Sequence, residues 1–163
     1  MAGGLAQLEW SDPYLAGERR VSPLLYPADR GLLEARGRDF DGLHGFLADS
    51  LPDAWGTLLM KRRVERLGTR WDTLDPVDRL ALVGEHGRGA LVFAPATTPP
   101  ADAKTLDLTA LAEQSHSILL GEDASLGDIL ALLGGASGGA RPKVHVGFAP
   151  NGQISIDNGE SAL

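Results

Sequence analysis

The chain has 163 residues, 43% of them apolar, with 15 basic and 22 acidic side chains and a net charge of −7. That length allows one ordinary domain, or one domain and part of a second. An acidic balance argues against general nucleic-acid binding, which draws its affinity from neutralised phosphates. The absence of cysteine excludes disulfides, thiolate metal sites and thiol nucleophiles.

No run approaches the roughly 18 apolar residues of a membrane span. The N-terminal "MAGGLAQLEWSDPY" lacks the basic-then-apolar order of a signal peptide. A cytoplasmic location is therefore expected. The first thirty residues read as irregular or strand-like, with turn signals at Asp12-Pro13 and Ser22-Pro23. The strongest helical pattern follows. Leu43, Phe46, Leu47 and Leu51 recur at helical spacing until Pro52 interrupts. A second helix, capped by Ser50 with Pro52 in its first turn, carries Trp55, Leu59, Met60 and Val64, and Gly68 can end it. Trp55 is expected in the core against "ALVFAP", the alternative being a partner contact. The basic run "KRRVER" (61–66) is expected to be the solvated face of this helix, the alternative being contact with a protein partner or a DNA backbone.

Asp75-Pro76 is a helix-start signal, and Val77, Leu80 and Ala81 form a short buried face. "ALVFAP" (90–95) reads as a strand ended by Pro95. Residues 97–104 have the composition of a linker between a unit at 1–96 and another at 105–163. "LTALAEQSHSILLGE" and "SLGDILALLGG" predict two more helices. Val144, Val146 and Phe148 then alternate with His145 and Gly147, and Asn151-Gly152 suits the turn of a hairpin that returns through Ile154 and Ile156. The sum is an α+β chain.

The glycine-rich stretch Leu132–Phe148, "LLGGASGGARPKVHVGF", lies between helix and hairpin. Glycines entering a strand let backbone N–H groups approach a ligand, so phosphate contact is one reading; a structural turn is the other, since the Walker spacing is missing. With little support from neighbouring strands, the loop is expected to be loosely held. His44, His86, His116 and His145 lack the spacing of a metal site. The "QSHS" segment lacks a nucleophile elbow, and a hydrolase triad is not expected there.

Three motifs occur in order over residues 8–157: "FLADSLPDAWGTLLMKRR", "DPVDRLALVGEHGRGALVFAP" and "GGARPK". Together they resemble the N-terminal region of the HipA family, the Ser/Thr kinase toxins of toxin–antitoxin systems that act in growth inhibition and persistence. The resemblance implies an N-terminal subdomain of mixed helices and short strands, followed by the start of a kinase-like N-lobe. It implies nucleotide contacts at Gly138, Gly139 and Lys143. The family's autophosphorylated loop serine falls at Ala136 here, with Ser137 next to it as a doubtful substitute. The family's strand lysine, catalytic aspartate and metal-binding Asn and Asp follow the hairpin. The chain therefore reads as an N-terminal portion, with no catalytic residue or metal ligand of its own and not competent alone. ATP and Mg are expected only with the full-length protein. Expected partners are the rest of the kinase, in the same or a separate chain, and a HipB-like antitoxin, with no direct nucleic acid and no membrane. The alternative is a stand-alone interaction module that binds and restrains a separate HipA-like kinase; a fragment without a role is a third.

Overall fold

The computed structural model describes residues 4–87, 89–97, 108–122, 127–134, 138–148 and 154–155. Within them the chain is α+β. Strand β1 (Gln7–Glu9) pairs antiparallel with β2 (Leu32–Glu34), with Leu8 opposite Leu33. Leu8 and Leu33 are half-buried and their neighbours exposed, the period-two pattern of a ribbon with one covered face. Gly42 closes this end. Its φ is +79, and a Cβ there would lie 2.2 Å from the Gly4 carbonyl oxygen. That close approach lets the Gly42 carbonyl accept the Ala6 N–H at 2.7 Å.

Between the strands, α1 (Asp12–Ala16) is a single short helix. Asp12-Pro13 thus starts a helix and does not merely turn the chain, because proline's fixed φ suits the first helical turn. Trp10 stacks on Tyr14 at 4.3 Å and donates its indole N–H to Pro27 O at 2.9 Å. Tyr26 meets the His44 ring at 4.7 Å. His44 is fully buried, with Nε2 2.9 Å from Leu33 O, which fixes the ring against the sheet.

Helix α2 (Gly45–Ala48) is one turn, and Leu43, Leu47 and Leu51 reach a cluster with Ala6, Leu80 and Phe93. The next helix, α3 (Ala54–Arg66), starts later than the sequence suggests. Its N-cap is Asp53, so Ser50 is not the cap and Pro52 precedes the helix. It stops through Gly68 at φ +86, with the Thr69 N–H on Val64 O at 2.9 Å. A 3₁₀ turn at Trp71–Thr73 leads into α4 (Pro76–Val83). Asp75 caps α4 reciprocally: its Oδ1 accepts from Val77 and Asp78 N–H, and the Asp78 carboxylate accepts the Asp75 N–H at 3.0 Å. The buried face of α4 is Pro76, Leu80 and Val83, while Val77 is 47% exposed; the expected face is rotated.

"ALVFAP" is not a strand. The Phe93 N–H goes to Gly84 O at 3.1 Å, nine residues back, and Val92 is exposed. Phe93 nevertheless packs inward against two clusters, so the alternation reports burial without a sheet.

Helices α5 (Leu108–Leu120) and α6 (Gly127–Gly134) fall where the periodicity puts them. Both pack on α3 through Trp55, Leu59, Leu111, Ile118, Leu130 and Ala131. Trp55 is core, as expected, but its partners are α5 and α6 and not "ALVFAP". The run at 61–66 is less solvated than its charges suggest. Arg63 and Arg66 both pair with Asp128 of α6, Arg63 at 3.6 Å with its side chain only 12% exposed, and Arg62 donates to Glu122 O at 3.0 Å. Last, β3 (Gly147–Phe148) pairs antiparallel with β4 (Ile154–Ser155). Of the expected linker at 97–104, Thr97 is described and donates its N–H to Ala81 O at 3.1 Å; residues 98–104 and the Asn151-Gly152 turn lie outside the described residues. Among the described residues, no helix is long and apolar enough to cross a membrane.

Candidate functional site

The site begins at the N-terminus of α3. The first backbone N–H groups of a helix have no partner within it and carry its positive end. An N-cap aspartate usually turns its carboxylate onto them. Asp53 does not: its side chain makes no cap hydrogen bond to α3. Its Oδ2 instead accepts the backbone N–H of Gly139 at 2.7 Å, 86 residues downstream. The Gly139 carbonyl in turn accepts the Trp55 N–H at 3.2 Å, taking one of the unpaired helix donors. The peptide units on either side of Gly139 are thus held from the same helix end.

Two further contacts complete the arrangement. The Trp55 indole N–H donates to Lys143 O at 3.2 Å. The Lys143 ammonium folds back onto Gly138 O. Gly139 has φ +90, and a Cβ there would sit 2.9 Å from Lys143 Nζ; one at Gly138 would sit 3.3 Å from Asp53 Oδ2. Both glycines therefore let a charged side chain lie against the loop backbone. Val144 packs on the Trp55 cluster, which draws the segment after the loop toward α3. A cavity of ≈ 320 Å³ is lined by Lys143 together with Leu111, Ser115, His116 and Val144.

The structure therefore brings Gly138, Gly139 and Lys143 together at one place. Ser137 lies outside the described residues. Residues 138–143 take contacts from α3, at Asp53 and Trp55, and not from a neighbouring strand. Asp53 is the residue whose role the sequence hid. The motif Leu51-Pro52-Asp53 marks it, but nothing local says that its carboxylate leaves its own helix. Ser115 donates its hydroxyl to Leu111 O at 2.7 Å, an ordinary intrahelical bond, and His116 is exposed. Among the described residues, no group of three or more His, Asp or Glu is placed to hold a metal ion.

These features define an α+β protein in which a small strand-and-helix unit carries a glycine-rich loop on the end of its central helix. Residues 2–94 match the HipA N-terminal domain, more than half of the 163 residues, and the chain belongs to that family. No curated protein and no solved structure matches the chain.

Proposed function

We propose that the chain is the N-terminal portion of a HipA-like Ser/Thr protein kinase of a toxin–antitoxin system. In this reading the HipA N-terminal domain is the base on which the nucleotide-facing loop is mounted, and phosphoryl transfer needs groups that these residues do not supply. The observation that supports it is the attachment of residues 138–143 to Asp53 and Trp55, inside the matched domain. A loop that contacts phosphates must be positioned, because catalysis of phosphoryl transfer is mostly placement and electrostatics. Gly138, Gly139 and Lys143 supply two backbone donors and a cation for that task. The substrate would be a protein hydroxyl, with ATP and Mg supplied to the complete kinase. Incubating the 163-residue chain with radiolabelled ATP and magnesium tests the reading: no hydrolysis and no incorporated label is the expected result, and turnover by the chain alone would overturn it.

A second reading, an interaction module that restrains a separate kinase, is favoured by one observation. Leu24, Leu25 and Leu32 are 91%, 51% and 66% exposed. Apolar side chains so exposed are frequent where partners dock. Co-purification of the chain with a separately expressed HipA-like kinase, lost on Leu24→Asp with Leu32→Asp, would support that reading.

A further inference from the structure

We infer that Asp53 is a built-in competitor of phosphate at the glycine loop, a latch that must open before the loop can take an anion. The inference rests on the nucleotide reading of residues 138–143 and names the residue that regulates it.

Two of the three donors assigned to phosphate are already in use. The Gly139 N–H is given to a carboxylate at 2.7 Å, and the Lys143 ammonium to Gly138 O. A carboxylate and a phosphate oxygen compete for the same kind of donor, and a charge-assisted bond of this type is stronger than a neutral one. Asp53 is also exposed and sits at the positive end of α3, where a negative charge is favoured without any bond to the helix. Its side chain is thus free to release Gly139 without uncapping the helix. A phosphate reaching Gly139 would meet the Asp53 charge directly, so binding requires the carboxylate to move away. Gly138 has no Cβ to keep Asp53 off, which explains how the carboxylate comes within reach of the loop. The Trp55 bonds to Gly139 O and Lys143 O use neither donor, so they can hold the loop on α3 while the latch opens.

The test uses the full 163-residue chain and two variants, Asp53→Ala and Asp53→Asn. Hydrogen exchange at the Gly139 amide reports the latch. Titration with Mg-ATP and with tripolyphosphate, followed through the Gly138 and Gly139 amide resonances, reports the anion. Asp53→Ala should speed Gly139 exchange about tenfold and tighten anion binding by about the same factor, the worth of one hydrogen bond to a charged group. Asp53→Asn, which keeps an acceptor but loses the charge, should fall between. Unchanged Gly139 exchange in Asp53→Ala would overturn the latch, whatever the titration shows. Faster exchange with weaker anion binding would make Asp53 a positioning residue and overturn the competition. Faster exchange with no titration by any of the three proteins would overturn the competition, because these residues would then take no anion even with the latch removed; the nucleotide reading, which concerns the complete kinase, would stand apart from that result.

Discussion

The Trp55 indole donates to the Lys143 carbonyl at 3.2 Å, joining residues 88 positions apart. One side chain thereby serves two purposes. Its ring, 1% exposed, fills the seam between α3, α5 and α6, and its N–H fixes the segment that leaves the glycine loop. Substitutions at Trp55 should separate these roles. Trp55→Ala should cost about 3–5 kcal/mol, the range for emptying an aromatic core position. Trp55→Phe keeps most of the ring and loses the bond; it should cost about 1–2 kcal/mol, since the Lys143 carbonyl is near enough to solvent to find water. Urea unfolding checks both, and no loss in Trp55→Phe would show that the bond contributes nothing.

Gly139→Ala should destabilise more than Gly138→Ala. Gly139 has φ +90 and little room beside Lys143, whereas Gly138 has φ outside the left-handed region and only the tip of Asp53 nearby. The expected cost at Gly139 is about 1–2 kcal/mol, the penalty for a Cβ in that backbone region. Thermal unfolding of the two variants measures the difference.

A similar contrast separates Gly42 from Gly68. Both have positive φ, but a Cβ at Gly68 meets open space and one at Gly42 meets the Gly4 carbonyl oxygen. Gly68→Ala should cost about 1 kcal/mol from backbone strain. Gly42→Ala should cost clearly more, because backbone must move and the Ala6 N–H to Gly42 O bond must lengthen. Loss of far-ultraviolet signal at lower urea for Gly42→Ala than for Gly68→Ala is the expected outcome.

The helix seam should depend on apolar packing more than on charge. Asp128 receives two arginines but its side chain is 53% exposed, so Asp128→Asn should cost about 0.5–1 kcal/mol and less at high salt. Leu130, with no exposed surface, should cost about 2–5 kcal/mol as Leu130→Ala. Denaturant titrations at low and high salt distinguish the two contributions.

What was legible in the sequence was local. Asp75 and Gly68 signal a helix start and a helix stop through residues within one turn of themselves, and the structure uses both as expected. The helices α3, α5 and α6 follow from apolar periodicity alone. Several of the failures depend on a distant or missing partner. The alternation at Leu91 and Phe93 looks like a strand, but among the described residues no strand pairs with it and the Phe93 N–H bonds to Gly84 O. Trp55 is plainly a core residue, yet its neighbours come from helices far along the chain. The site was half visible: Gly138, Gly139 and Lys143 stand out by composition and family resemblance, while Asp53 falls inside a helix expected to start at Ser50, and nothing local says that its carboxylate reaches Gly139.

The most direct test of the account is whether the glycine loop rests on the HipA N-terminal domain in solution. A heteronuclear NOESY spectrum of the 163-residue chain should show cross-peaks from the Trp55 indole proton to the backbone protons of Lys143 and Val144, with the Gly139 amide protected from exchange. Absence of those cross-peaks, with Gly139 exchanging as fast as an unfolded chain, would contradict the account.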